Sequence, residues 1–217
     1  VLALVEVDEG SWRQEGRGQA KSLAHRIGGR PFFVCKYRSG SALTRLPLLG
    51  AQGNAVVSRL PVRGTRRHEF SRGVKRALLE VEFDAFTLLL VHLSLGAVTR
   101  RMQIEELAER IRGLGRPTLV AGDFNVYLGN WEVEALLEET GLRDANPERI
   151  PTYPRRTPRF ALDRVLYGPG LRVERVAVLD APYSDHLPLV VDFVPETSPA
   201  APDRTPAGAS PEAPAPR

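Results

Sequence analysis

Four short polar motifs stand at the ends of apolar runs, and their side chains are the kinds that handle protons, phosphate and hard cations. In chain order they are Glu6 in Leu4-Val5-Glu6-Val7-Asp8, His92 in Leu90-Val91-His92-Leu93-Ser94, Asp123 and Asn125 in Gly122-Asp123-Phe124-Asn125, and Asp185-His186 in Ser184-Asp185-His186-Leu187-Pro188. A strand needs no acid or imidazole at its end in order to fold. A sheet-based scaffold, however, gathers strand ends from distant parts of a chain into one cleft. Four such placements point to a shared site.

Each motif has its own chemistry. The Glu6 carboxylate suits a hard cation such as Mg2+, which takes oxygen ligands and keeps several waters; the alternative is a carboxylate facing solvent on an edge strand. Asp123 and Asn125 lie two residues apart, so in extended chain both project to one side and can hold water and a phosphate oxygen together. The same Asp-x-Asn spacing also caps ordinary turns. His186 supplies an imidazole, and Asp163, in Ala161-Leu162-Asp163-Arg164, is its natural orienting partner. A carboxylate on one ring nitrogen fixes the tautomer and raises the basicity of the other. His25 and His68 sit in polar stretches outside any motif and carry no such reading.

Taken together and in this order, the motifs resemble the endonuclease/exonuclease/phosphatase superfamily of deoxyribonuclease-I-like, metal-dependent phosphodiesterases, from about Val1 to Val194. The resemblance implies an α/β fold, a four-layer sandwich of two packed mixed or antiparallel sheets flanked by helices. It implies Mg2+ as cofactor, with Mn2+ as substitute, held by Glu6, Asp123 and Asp185. His92, Asp123, Asn125, Asp163, Asp185 and His186 become the catalytic set, with either His186 or Asp123 as the base. Asn54, in Gly53-Asn54-Ala55-Val56-Val57, and Arg76, in Arg76-Ala77-Leu78-Leu79, join Asn125 as substrate contacts. The implied partner is a phosphate ester, whether nucleic acid, phospholipid or a small phosphoester. No protein partner is implied, and the protein is expected to be a monomer. The alternative is a degenerate member that binds phosphate groups without cleaving them.

Two departures from the family pattern are single residues. Val5 stands where the family has Gln before the metal-binding Glu, and His92 stands where the abasic-site repair branch carries Tyr. Family members open with a strand ending in a further ligand Asn, followed by a helix. The given sequence starts within the Glu-bearing strand, and on this resemblance the chain as given is expected to work more slowly than one carrying that strand.

Composition sets the frame. At 217 residues and 42% hydrophobic, the chain can build one sizeable core. No apolar run reaches the roughly 18 to 20 residues of a membrane span, and Val1–Val5 is too short for a signal peptide, so a cytoplasmic location is the expectation. The single Cys35 excludes an internal disulfide framework. Net charge is +4, and 27 of the 30 basic residues are arginine, leaving only Lys21, Lys36 and Lys75. Guanidinium groups grip phosphate oxygens in pairs, although a GC-rich genome gives the same composition.

The elements that must position the motifs follow from periodicity. Strands are expected over Val1–Val7, Pro31–Tyr37, Ala55–Arg59, Val74–Phe83, Phe86–Leu93, Thr118–Ala121, Asp163–Tyr167, Leu171–Leu179 and Leu189–Val194. Ile104, Leu107, Ala108, Ile111 and Leu114 recur at helical spacing from Thr99, and Gly113, Gly115 and Pro117 stop that helix. A second helix covers Trp131–Thr140 with Asn130 as N-cap, and a third spans about Gly18–Ile27. Residues 195–217 contain 7 Pro and 6 Ala and no large apolar side chain, which predicts a disordered tail beyond a domain of residues 1–194.

Overall fold

The computed structural model describes residues 1–9, 18–36 and 52–196. In chain order its elements are β1 (Leu2–Asp8), α1 (Gln19–Ile27), β2 (Arg30–Cys35), β3 (Gln52–Ser58), β4 (Gly64–Glu69), β5 (Ala77–Glu82) and β6 (Thr87–His92). There follow α2 (Ala97–Arg112), β7 (Thr118–Asp123), α3 (Trp131–Thr140), β8 (Arg143–Asp144), β9 (Asp163–Tyr167), β10 (Leu171–Val178) and β11 (Leu189–Pro195). One sheet has the order β1-β3-β2, a six-stranded sheet runs β4-β5-β6-β7-β9-β8, and β10 pairs with β11 as an antiparallel ribbon.

Strand alternation sorts the apolar residues into three cores, and these define four layers. Ala55 and Val57 of β3 face α1 and pack on Ala20 and Ala24. Val56, on the opposite face, meets Leu79, Val81, Leu88, Leu90, Leu119 and Ala121 of the large sheet. The other face of that sheet, with Leu89, Val91 and Val120, packs on Ile104, Leu107 and Ala108 of α2 and on Val133 and Leu136 of α3. The order helix, sheet, sheet, helices is therefore the four-layer sandwich. Buried on both faces, β6 reads as the unbroken apolar run Thr-Leu-Leu-Leu-Val.

The helices end as their sequences require. Gly28 takes the left-handed conformation (φ 66°) that closes α1, and Gly141 (φ 70°) does the same for α3. At the start of α3, Asn130 occupies the N-cap position, but its side chain makes no capping bond. Its Oδ1 instead accepts from Arg164 Nη2 at 3.0 Å. Arg164 is almost wholly buried and also binds Asp144 Oδ2 at 2.6 Å, so this guanidinium ties β9, β8 and α3 together. An ion pair that is buried and then broken costs about 3–5 kcal/mol, more than a cap hydrogen bond returns.

Several boundaries differ from the sequence expectation. The segment 74–83 enters its strand only at Ala77, since Lys75 and Arg76 have side-chain duties described below. Gly64–Glu69, absent from the strands expected from the sequence, is a strand in which Arg66 pairs with Glu80 and Arg67 with Glu69. The two-residue β8 carries no periodicity to detect. Tyr37, placed at the end of the second strand, lies outside the described residues, as do residues 197–217 of the expected tail. Among the described residues no helix is long and apolar enough to cross a membrane.

Candidate active site

Topology delivers the polar motifs to one end of the sandwich. β6 and β7 run parallel with His92 beside Asp123, and β9 runs antiparallel to β7 with Asp163 beside Asp123. His92, Asp123 and Asp163 are thus three neighbours across the end of the large sheet. Glu6 comes from the small sheet, where the ladder between β1 and β3 slips between Leu4 and Val7. Within that bulge Glu6 has φ 56°, a left-handed backbone that a non-glycine residue adopts at a cost, and such strain gathers at functional sites. The bulge brings the Glu6 carboxylate to the large sheet, with Oε1 3.8 Å from His92 Nδ1.

His92 lies between two carboxylates. Its Nε2 is 3.3 Å from Asp123 Oδ2, while Nδ1 faces Glu6. Asp123 is almost buried, and its Oδ1 accepts the Asn125 N–H at 2.9 Å. Burial alone would raise the Asp123 carboxyl; the hydrogen bond and charge of His92, the Asn125 N–H and the charge of His186 outweigh it and hold it below the usual carboxylate range. Asn125 also has positive φ (54°), and its Nδ2 donates to Leu93 O at 2.9 Å, which locks the turn after β7 to the end of β6.

The turn between β10 and β11 carries the second imidazole. His186 Nδ1 lies 2.8 Å from Asp163 Oδ2, and the ring packs on Tyr153 with centroids 4.7 Å apart. Partial burial would lower the His186 pKa, but the hydrogen bond and charge of Asp163, with Asp123 and Asp185 behind it, raise it above its ordinary value. Asp185 is exposed, accepts from Ser184 Oγ at 3.2 Å, and takes the Arg155 N–H on its main-chain oxygen at 2.7 Å.

Two lysines complete the site. Lys36 Nζ is 3.4 Å and Lys75 Nζ 3.5 Å from the same oxygen of Glu6, and Lys75 also meets His92 Nε2. Partial burial would raise the Glu6 carboxyl, but Lys36, Lys75 and His92 together hold it below the usual range. Burial lowers the Lys75 ammonium, with Glu6 and Asp123 opposing.

Of the residues singled out in the sequence, Glu6, His92 and Asp123 form one side-chain network, and beside it Asp163, on the neighbouring strand, forms a pair with His186. Asn125 bonds to Asp123, and Asp185 precedes His186 on the exposed turn, bonded to Ser184 and Arg155. Asn54 is buried in β3, across the ladder from the Glu6 bulge, and its Oδ1 has no partner. Arg76 is placed differently from expectation. Its Nε donates to Phe70 O at 2.6 Å and its Nη2 to Ser71 O at 2.5 Å, so the guanidinium closes the loop before β5 while its neighbour Lys75 enters the site. Lys36, Lys75 and Tyr153 escaped the sequence reading. Lysine scarcity was the available signal, since two of three lysines in an arginine-rich chain meet here.

Glu6, Asp123 and Asp185, the metal ligands that the resemblance implies, do not converge on one point in this structure. Among the described residues no group of three or more His, Cys, Asp or Glu side chains is arranged to hold an ion. The physical reason is that the His92 ring stands between Glu6 and Asp123, and Asp185 belongs to the exposed His186 turn. The residues still fit a Mg2+ ion bound more sparsely. Mg2+ binds through one or two carboxylates and completes its shell with water and substrate phosphate. Glu6 supplies an accessible carboxylate, and the buried His92 Nδ1 and Asn54 Oδ1 lack hydrogen-bond partners, as polar atoms beside a hydrated ion would.

Comparison with known proteins agrees with this architecture. Residues 1–186 match the Endonuclease/Exonuclease/phosphatase family. The Escherichia coli K12 protein YbhP is 35% identical over 130 residues, covering 54% of this chain and 51% of YbhP. The chain thus spans about half the length of the curated relatives it matches first. Among solved structures, an endonuclease/exonuclease/phosphatase protein from Beutenbergia cavernae superposes with TM-score 0.66 at 20% identity, covering 92% of this chain and 62% of that one. The mannosyl-6-phosphatase Bt3783 of Bacteroides thetaiotaomicron gives TM-score 0.63 at 17% identity, covering 81% of each.

Proposed function

The chain belongs to the Endonuclease/Exonuclease/phosphatase family, and from that premise we propose that it is a Mg2+-dependent hydrolase of phosphate esters. The observation that carries this reading is the Asp163–His186 pair facing the Glu6–His92–Asp123 network across one strand end. A module that only binds phosphate needs no imidazole held by a carboxylate. The name of the Bacteroides relative, a phosphatase, is in keeping with it.

In the proposed reaction His186 Nε2 takes a proton from the attacking water, since Nδ1 is engaged by Asp163. The water oxygen forms a bond to phosphorus as the bond to the leaving oxygen breaks. Asp123 is the weaker candidate for base, because a carboxyl held low accepts protons poorly, whereas an imidazole raised above its ordinary value sits nearer neutral pH. His92, between Glu6 and Asp123, stabilises the leaving oxygen or gives it a proton. Glu6 is the residue that would hold Mg2+, with Mn2+ as substitute, and the ion would neutralise charge on the phosphoryl group. Tyr153, packed at a 42° tilt against His186, limits rotation of the ring.

The test is turnover of bis-p-nitrophenyl phosphate and of p-nitrophenyl phosphate, with Mg2+ and then with excess EDTA. Release of nitrophenolate from either ester that stops with EDTA and returns with Mg2+ is expected. The two substrates separate diesterase from monoesterase. Absence of metal-dependent release from both would overturn the reading.

A further inference from the structure

The chain retains only three lysines beside 27 arginines, and two of them meet at one carboxylate oxygen. Lys36 follows β2 in the small sheet and Lys75 precedes β5 in the large one. The Arg76 N–H donates to Lys36 O at 3.3 Å, so a main-chain bond between the sheets sets the two lysines side by side. The third, Lys21, lies exposed on α1 and pairs with Glu9.

The mounting of Lys75 is more elaborate than a surface lysine needs. Gln103 of α2 is fully buried; its Nε2 donates to Lys75 O and to Arg72 O, both at 2.9 Å, and its Oε1 accepts the Ser94 N–H at 2.9 Å. Between those residues Gly73 has φ 101°, and a Cβ there would fall 2.7 Å from Ser94 Oγ and 2.8 Å from Gln103 Nε2. The loop is therefore built to lie flat on the β6–α2 junction and to aim Lys75 at His92 and Glu6. A buried amide with every bond engaged holds such a loop in one place.

Head-group chemistry explains why these positions carry lysine. Arginine presents a rigid planar fork, whereas the ammonium is a compact charge with three rotatable donors on a flexible stem. Two ammonium groups converge on one Glu6 oxygen, and their rotatable donors can turn to the oxygens of an arriving phosphoryl group.

We propose that Lys36 and Lys75 are the phosphoryl-positioning pair, donating directly to non-bridging oxygens of the substrate and binding them before any ion completes the site. The proposal rests on the phosphate-ester reading above but assigns these residues a role separable from hydrolysis. Arg76 makes no direct contact with the phosphoryl group: its guanidinium holds the loop before β5, and its N–H ties the two lysines together.

Calorimetric titration with inorganic phosphate in EDTA-containing buffer tests it, on wild type, Lys75→Met, Lys36→Met, Lys75→Arg and Lys21→Met, each checked for an unchanged melting curve. Wild type is expected to bind phosphate without metal. Lys75→Met and Lys36→Met should each bind about ten- to hundredfold more weakly, Lys75→Arg should recover part of the loss, and Lys21→Met should match wild type. With Mg2+ and bis-p-nitrophenyl phosphate, the Lys75→Met defect should lie mainly in KM rather than kcat. Folded Lys75→Met that binds phosphate like wild type would overturn the proposal even if hydrolysis is normal. Loss of phosphate binding in that variant, in a protein that cleaves no ester, would sustain the lysine pair and remove the hydrolase reading instead.

Discussion

Asp163 Oδ2 and His186 Nδ1, 23 residues apart in sequence, lie 2.8 Å apart at the end of the large sheet. Asp163 is fixed by β9, paired to Asp123 on β7, whereas His186 rides on the turn between β10 and β11. The bond therefore joins the ribbon to the large sheet where the chemistry is proposed, and its consequences can be read in both activity and stability.

The pair predicts a pH effect of definite sign. The His186 pKa is raised in the folded protein, so its stabilising contribution is fully present below the unfolded value near about 6.5 and is lost as pH rises through the folded value. Asp163→Asn should cost more stability near pH 5.5 than near pH 9. The difference should be about 1 kcal/mol or less, because the pair is partly exposed. In activity, the same change should move the acidic limb of the rate profile to lower pH, since a base without its carboxylate deprotonates sooner. Denaturant melts at the two pH values, with a rate profile, check both.

Glu6→Gln removes the carboxylate proposed to hold the ion while keeping the amide oxygen. Activity at low Mg2+ should fall steeply and recover in part at high Mg2+. A rate curve against Mg2+ concentration that superposes on wild type would assign the ion elsewhere.

Scaffold and site should separate energetically. Arg100 Nε and Nη2 both bind Glu132 Oε2, at 2.9 and 2.8 Å, in a buried contact between α2 and α3. Glu132→Leu strands the Arg100 charge and should cost about 3–5 kcal/mol in urea unfolding. Arg100→Met with Glu132→Leu should recover much of that, since a buried pair replaced by apolar groups is often near neutral.

Much of this arrangement was legible because strand ends are marked in sequence by where an apolar run stops. Thr87–Val91 and Thr118–Ala121 announced β6 and β7, and parallel pairing then placed His92 beside Asp123. The Glu6 bulge was not legible, since a slip of register leaves no periodic trace. Arg76 and Lys75 were confused for a related reason: adjacent residues on a strand entrance point opposite ways, and sequence does not say which points inward. The failed Asn130 cap shows a tertiary bond to Arg164 overriding a local one. Residues 10–17 and 37–51, and the tail from 197, lie outside what the structure describes.

The central claim is that His186, held by Asp163, takes the proton from water in a metal-assisted cleavage of phosphate esters. The most direct measurement is the hydrolysis rate of the responsive nitrophenyl ester at saturating Mg2+ for wild type and His186→Ala, with melting curves to establish folding. The account predicts a fall of about 10²- to 10⁴-fold in a protein that still folds. A folded His186→Ala that hydrolyses at the wild-type rate would contradict it.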